Sequence, residues 1–394
     1  MIWKHKCHEL DQYAERLIEQ NPQIKYYIFG AGILGKELMI VFREYGCLVA
    51  FIDNSVEKQQ SKIDGFEVIS FQEYLRRKDG QIVIAATKEN SKIIRKQMEE
   101  KLLHHDIDFF EYDEFSERIF PVISLYCFHK LYIALTQITL TERCTLKCKK
   151  CAHGCFAVDY STAADLTLEQ VFKSADCFFS KVDFIKEFVL IGGEPLLYRE
   201  LPQAIQYIGE KYREKIGTYT ITTNGTIVPD EEVLKMCKKY NVYFRISNYS
   251  HQIPRLKEAY QRLTDTLNKH GISFFLGEED LEWMDYGFEY VEREPDEDRL
   301  LRVFDACKTP CREIRENRFY FCVMARSVSD NLNFHVGEQD YLDFSKLDET
   351  EYKKEVLEYS LGYSDKGYLD MCRYCNGAEA KDKPIPVAEQ MERV

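Results

Sequence analysis

Cys144-Thr145-Leu146-Lys147-Cys148-Lys149-Lys150-Cys151 spaces three cysteines as C-x3-C-x2-C, directly after an apolar stretch that reads as a strand. Three thiolates on one loop can each hold one iron of a [4Fe–4S] cluster, which leaves the fourth iron open to a small molecule. Zinc is the competing occupant. It usually takes four ligands, and Cys155 or His153 could complete such a set. Working outward from this loop, strands are expected at 136–141, 186–191, 218–223, 242–247 and 272–276, with helices near 166–180, 199–214, 229–239 and 254–269. Thr167-Leu168-Glu169-Gln170 has the form of a capping box that opens the first of those helices. Regular alternation of strand and helix predicts a parallel sheet or partial barrel.

The chain has 394 residues, enough for two or three domains. Hydrophobic residues make up 45% and charged residues 30%, a globular composition. The 66 acids against 53 bases leave a net charge of −13. That excludes nucleic-acid binding through a general basic surface, and attachment to anionic membrane. A local basic pocket for a phosphorylated ligand stays open. No apolar run approaches the ~18 residues of a membrane span, and the start, Met1 to His8, has no stretch of signal-peptide character. A cytoplasmic location is therefore expected. In that reducing setting the fourteen cysteines are metal ligands, catalytic thiols or small buried hydrophobes, not disulfides. They stand at 7, 47, 127, 144, 148, 151, 155, 177, 237, 307, 311, 322, 372 and 375.

The strand after the cysteine loop ends in Ile191-Gly192-Gly193-Glu194-Pro195. With the cysteine motif, Thr222-Thr223-Asn224-Gly225 and Arg245-Ile246-Ser247-Asn248, it resembles the radical S-adenosylmethionine (SAM) superfamily over roughly 136–280. The resemblance implies that Cys144, Cys148 and Cys151 ligate a [4Fe–4S] cluster whose open iron is chelated by SAM. Backbone carbonyls at Gly192, Gly193 and Glu194 would accept hydrogen bonds from the SAM amino group, because glycines permit close approach. Asn224 and Ser247 are candidates for the ribose hydroxyls. Arg245 is a candidate for the SAM carboxylate, with a salt bridge at the barrel rim as its alternative. The implied chemistry is reductive cleavage of SAM to a 5′-deoxyadenosyl radical, which abstracts hydrogen from a small-molecule substrate. An electron donor such as a flavodoxin or ferredoxin would drive it. Many family members carry an aromatic residue before the third cysteine. Lys150 stands there instead, so the adenine contact falls elsewhere, with Phe156 a candidate. Cys155 is additional, either a structural thiol or a hydrogen-atom donor.

Cys307, Cys311 and Cys322, followed by Cys372-Arg373-Tyr374-Cys375, resemble the SPASM/Twitch extensions of radical SAM enzymes. Cys307-x9-Asn317-x4-Cys322 matches the opening of that motif, with Asn317 in place of glycine. Asn is among the residues that best tolerate a positive φ. The resemblance implies one auxiliary [4Fe–4S] cluster on Cys307, Cys322, Cys372 and Cys375, with Cys311 the rival to Cys307 and zinc the alternative occupant. Such a cluster can take the electron left on a substrate radical, making the net reaction an oxidation.

Gly30-x-Gly32-x-x-Gly35 lies between an apolar strand at 25–29 and a helical run stopped near Gly46, and Asp53 ends the next strand. Glycines for close phosphate approach, a helix N-terminus and an acid for the ribose make a dinucleotide-binding context. The fragment also resembles Rossmann-like modules of bacterial sugar-modifying enzymes. That implies a nucleotide or nucleotide-sugar ligand, or a docking role without one. The expected architecture is α/β throughout. A Rossmann-like parallel sheet occupies 1–115, and an aromatic connection at 116–135 packs on the next domain. A partial (β/α)6 radical SAM barrel follows at 136–300, then a small irregular cluster-binding domain at 301–394. The expected activity is that of a radical SAM oxidoreductase acting on a carbohydrate or nucleotide-linked sugar. Its rivals are a peptide maturase, a redox-neutral epimerase using Cys155, and a non-catalytic iron–sulfur or zinc protein that senses nucleotide.

Overall fold

A computed structural model of the chain describes residues 1–3, 8–279, 282–288, 296–307, 309, 311–334, 337 and 340–391; Cys7 lies outside them. The chain forms two compact units, Cys7–Ala134 and Leu135–Val394 with Met1–Lys6. Among the described residues, no helix is long and apolar enough to cross a membrane.

The first unit contains β1 (Tyr26–Phe29), β2 (Leu48–Ile52), β3 (Lys62–Ile63), β4 (Phe66–Ile69), β5 (Gln81–Ile84) and β6 (Phe109–Glu111). They form one sheet in the order β3-β4-β2-β1-β5-β6. All pairings are parallel except β3 with β4. The five parallel strands therefore run 3-2-1-4-5, an order that reverses between β1 and β5 and opens a crevice there. Every residue of β1 and β5 is buried, which is why both read as continuous apolar runs. The β3–β4 hairpin gave no such signal, because half of it faces solvent. Helix Ile33–Tyr45 ends on Gly46 at φ 65°, a left-handed cap. The aromatic stretch after 115 belongs to this unit and does not form a separate connection. Phe115 and Phe120 pack edge-on against Tyr26 and Tyr45, both at 4.9 Å between ring centres, and Phe120 meets Tyr132 at 5.0 Å. Those faces have their partners within the first sheet's own helical layer, so the unit extends to Ala134.

The second sheet is built from β7 (Tyr132–Thr139), β8 (Phe184–Ile191), β9 (Ile216–Thr223), β10 (Val242–Ile246) and β11 (Phe274–Leu276). β12 (Glu282–Met284) leaves it, and β13 (Arg312–Arg315), β14 (Arg318–Tyr320) and β15 (Tyr341–Asp343) rejoin it; β16 (Pro384–Pro386) pairs with β12. The order is β11-β10-β9-β8-β7-β13-β14-β15. β8 to β11 pair in parallel through the returning helices Leu201–Tyr212, Glu231–Tyr240 and Leu256–His270, and helix Leu168–Lys181 leads from β7 into β8. The capping box forms as read: Gln170 N–H donates to Thr167 Oγ1 at 3.3 Å and Thr167 N–H to Gln170 Oε1 at 3.0 Å.

The segment past 300 departs from the irregular domain expected. β13 pairs in parallel with β7, Arg312 opposite Thr136 and Glu313 opposite Gln137, and β14 and β15 continue the sheet antiparallel. The strands are short and charged, so no apolar run marks them. The β13–β14 turn also differs. Its left-handed residue is Glu316 at φ 53°, one before Asn317. Asn317 instead donates through its side-chain amide to Asp343 at 2.5 Å and Ser345 at 3.3 Å.

Candidate functional site

The cysteine loop is fixed by the end of β8. Gly193 N–H donates to the Thr141 carbonyl at 2.8 Å and Glu194 N–H to the Arg143 carbonyl at 2.7 Å. A Cβ on Gly192 would sit 2.6 Å from the Thr141 carbonyl oxygen, and one on Gly193 would sit 2.3 Å from that of Arg143. Only glycine lets the strand end press this closely on the loop. The Glu194 side chain is fully buried. It accepts from Thr223 Oγ1 (2.7 Å), Asn224 N–H (2.9 Å) and Leu196 N–H (3.2 Å). Burial pushes its carboxyl up to about 7 against the pull of these donors. Glu194 therefore ties the ends of β8 and β9 together.

Cys144, Cys148 and Cys151 line one cavity of about 340 Å³, with Gly192, Gly193, Asn224 and Ser247 beside them. That volume falls in the range of small-ligand sites. Each thiol has a donor. Asn224 Nδ2 and Leu146 N–H both reach Cys144 Sγ at 3.5 Å, and Gln390 Nε2 reaches Cys148 Sγ at 3.0 Å. The hydrogen bond from Cys155 holds Cys151 below the usual thiol range in spite of burial. Burial pushes Cys144 and Cys148 up to about 12. Two of the three thiols thus keep their protons until a cation arrives, and metal binding would release them. The donor set and the cavity fit a thiolate-bound cluster.

Two sequence candidates sit elsewhere. Arg245 is a clamp on Glu187, with contacts of 2.7 and 2.8 Å, and Thr220 donates to the same carboxylate at 2.6 Å. Arg245 does not line the cavity, so the salt-bridge alternative describes its geometry. Phe156 is also absent from the wall. The aromatic wall is Tyr249, Trp283 and Tyr286, which sequence reasoning missed. Trp283, one of two tryptophans in the chain, meets Tyr249 edge-on at 5.7 Å. Lys150 faces this wall. Its Nζ donates to the Gly287 carbonyl at 2.7 Å and pairs with Asp285 at 3.4 Å, pinning the segment that carries Trp283 and Tyr286. Asn224 lines the cavity, but its amide is spent on the loop, donating to Thr145 Oγ1 at 3.0 Å and accepting from Thr226 at 2.7 Å.

Cys307, Cys322, Cys372 and Cys375 line a second, small hollow of about 30 Å³, walled by Phe304, Phe321, Leu369 and Met371. Cys311 is not among them; its carbonyl accepts from Val323 N–H at 3.1 Å. Burial, and then Cys307 and Cys375, push Cys322 up. Burial and Cys375 do the same to Cys372. Four cysteines around one hollow fit a four-thiolate group, iron–sulfur or zinc.

In the first unit a cavity of about 410 Å³ opens at the ends of β1, β2 and β5, lined by Gly30, Gly32, Asp53, Lys58, Thr87 and Asn90. The three glycines divide their work. Gly30 has φ 123° and a Cβ there would lie 2.3 Å from the Ala85 carbonyl oxygen; one on Gly35 would lie 1.9 Å from that of Gly30. Gly32 has nothing within 4 Å and faces the opening. Asp53 is held below the usual carboxylate range: burial opposes this, but Ser55 N–H, Ala31 N–H and Lys58 outweigh it. Gly35→Ala is expected to lower the thermal transition of this unit, whereas Gly32→Ala leaves stability within about 0.5 kcal/mol. Calorimetry of the two variants checks it, and equal losses would contradict it.

Residues 138–277 match the family model described as the radical SAM superfamily. The GTP 3′,8-cyclase of Syntrophomonas wolfei is 34% identical over 99 residues, which is 25% of this chain and 29% of that protein. Molybdenum cofactor biosynthesis protein 1 of Dictyostelium discoideum is 32% identical over 101 residues, 25% of this chain and 15% of that one. The matched stretch thus spans less than a third of either relative. Among solved structures, BtrN in complex with AdoMet and 2-DOIA is 14% identical, covers 66% of this chain and 97% of its own, and has a TM-score of 0.40. SuiB of Streptococcus suis is 15% identical, covers 56% and 48%, and has a TM-score of 0.30. The cysteine loop and the glycine strand end that closes on it lie inside the matched span, and residues 138–277 are a radical SAM domain.

Proposed function

We propose that this chain is a radical SAM enzyme that holds its [4Fe–4S] cluster on Cys144, Cys148 and Cys151 and SAM against Gly192, Gly193 and Ser247. In this reading it oxidises a small molecule, a carbohydrate or nucleotide-linked sugar. The observation that carries the reading is the convergence of three thiols from one loop on a single cavity with an aromatic far wall. Bound there and reduced, the cluster and SAM supply a species able to take hydrogen from an unactivated C–H bond. The chain's own residues do the rest. Gly192 and Gly193 bring backbone to the cavity, and Tyr249, Trp283 and Tyr286 offer flat faces for an adenine. Lys150 holds the 282–288 segment across the opening, where it keeps water from the reacting atoms.

An auxiliary cluster on Cys307, Cys322, Cys372 and Cys375 gives the oxidation an electron acceptor. The position of Cys155 supports oxidation over epimerisation. It does not line the cavity, so it is badly placed to return a hydrogen atom. A sugar nucleotide is favoured by the first unit, whose crevice lies where doubly wound sheets bind nucleotides. A flavodoxin or ferredoxin would be the electron donor, in the cytoplasm. Anaerobic reconstitution tests the reading. About eight irons per chain and 5′-deoxyadenosine on reduction with SAM are expected, with nucleotide sugars as the first substrate panel. A wild-type protein that cleaves no SAM under any reductant would sink it.

A further inference from the structure

Residues 384–391 form a strap over the cysteine loop. β16 pairs antiparallel with β12, Ile385 opposite Trp283. Beyond it the chain runs antiparallel to the loop: Lys149 N–H donates to the Glu389 carbonyl at 2.7 Å and Met391 N–H to the Lys147 carbonyl at 2.8 Å. Between these two bonds lies the side chain of Gln390. Its Oε1 accepts from Lys147 N–H at 2.9 Å, and its Nε2 donates to Cys148 Sγ at 3.0 Å and to the Ala388 carbonyl at 2.7 Å. The orientation of the amide is decided by its surroundings. A backbone N–H can only donate and a backbone carbonyl can only accept, so Oε1 must face Lys147 and Nε2 must face Ala388 and the thiol. Ala388, fully buried at φ 52°, fixes the bend that aims the amide.

From this geometry we infer that Gln390 is a positioning residue for the SAM-binding cluster, raising its reduction potential through an N–H···S bond to Cys148. This rests on the reading that Cys148 is a cluster ligand. The cause is electrostatic. Reduction adds negative charge to the cluster and its thiolates, and a fixed donor stabilises the more negative state. Nothing in the C-x3-C-x2-C spacing announces the contact, because donor and acceptor are 242 positions apart.

The test uses the full chain, anaerobically reconstituted, with an EPR-monitored redox titration of the signal that responds to SAM. Gln390→Ala removes the amide. Gln390→Glu keeps the length and the acceptor for Lys147 N–H but removes the donor. Both are expected to load iron as wild type does. Both should show about tenfold less reduced cluster at a fixed potential, equivalent to about 59 mV for a one-electron couple. Full loading with unshifted potentials in both variants, or loss of the cluster from both, overturns the inference. Cys148→Ala, run in parallel, separates the two claims. If it loses the SAM-responsive cluster while both Gln390 variants keep wild-type potentials, the strap inference alone fails. If it retains that cluster, the ligand reading fails and takes the inference with it.

Discussion

An Arg326→Met protein is expected to lose about 3–5 kcal/mol of stability in its second unit, the cost of leaving buried charges without their partner. Arg326 is 2% exposed and sits between two carboxylates. Its Nη1 donates to Glu142 at 2.7 Å, and its Nε pairs with Glu313, which is 0% exposed. Glu313 also accepts from Thr139 Oγ1 at 3.1 Å, and Asn331 donates to Glu142 at 3.0 Å. Burial raises the Glu313 carboxyl while Arg326 opposes it. Burial also works against Glu142, but there Arg326 and Asn331 win and the carboxyl is held below its usual range. Methionine keeps most of the volume and none of the charge, so both carboxyls rise in the variant. A carboxyl raised on folding contributes stability below its unfolded value, ~4.3 for Glu, and loses it as pH climbs through the folded value. The deficit should therefore be smallest near about pH 4, below the unfolded value, and full near about pH 8. Denaturation of both proteins at the two values measures it. A deficit independent of pH would mean that lost packing, and not unpaired carboxylates, accounts for the change.

That cluster also marks where sequence reasoning stopped. β1, β2, β5 and β8 were legible because strands with largely buried faces read as apolar runs, and the helix after Thr167 announced its own cap. The cysteine loop and the glycines of β8 were legible as motifs, since their chemistry and close packing are local. β13 was not. Its second residue is a glutamate, and burying Glu313 depends on the distant Arg326 together with Thr139 and Gln137. Arg245 follows its salt-bridge alternative because Glu187 faces it across the sheet: a side chain's partner, not its position in a motif, decides its role. Tyr249, Trp283 and Tyr286 come from two segments that meet only in the fold, and Gln390 from a third.

The two cysteine sets should separate cleanly when each is broken. Cys148→Ala removes one of the three proposed ligands from a loop that has no spare among its cavity-lining thiols. Iron is expected to fall from about eight to about four per chain, and 5′-deoxyadenosine to background. Cys375→Ala removes one of four thiols around the other hollow. It should lose the other half of the iron and leave SAM cleavage intact, while oxidised product disappears because the substrate radical has no acceptor. Cys311→Ala is the internal control. Its thiol lies off the hollow, so iron and turnover should match wild type, whereas Cys307→Ala should behave as Cys375→Ala does. A reversed result for Cys307 and Cys311 would reassign the fourth ligand. If Cys375→Ala instead releases about one zinc and no iron, the second hollow is a structural metal site, and the net oxidation loses its electron acceptor within this chain.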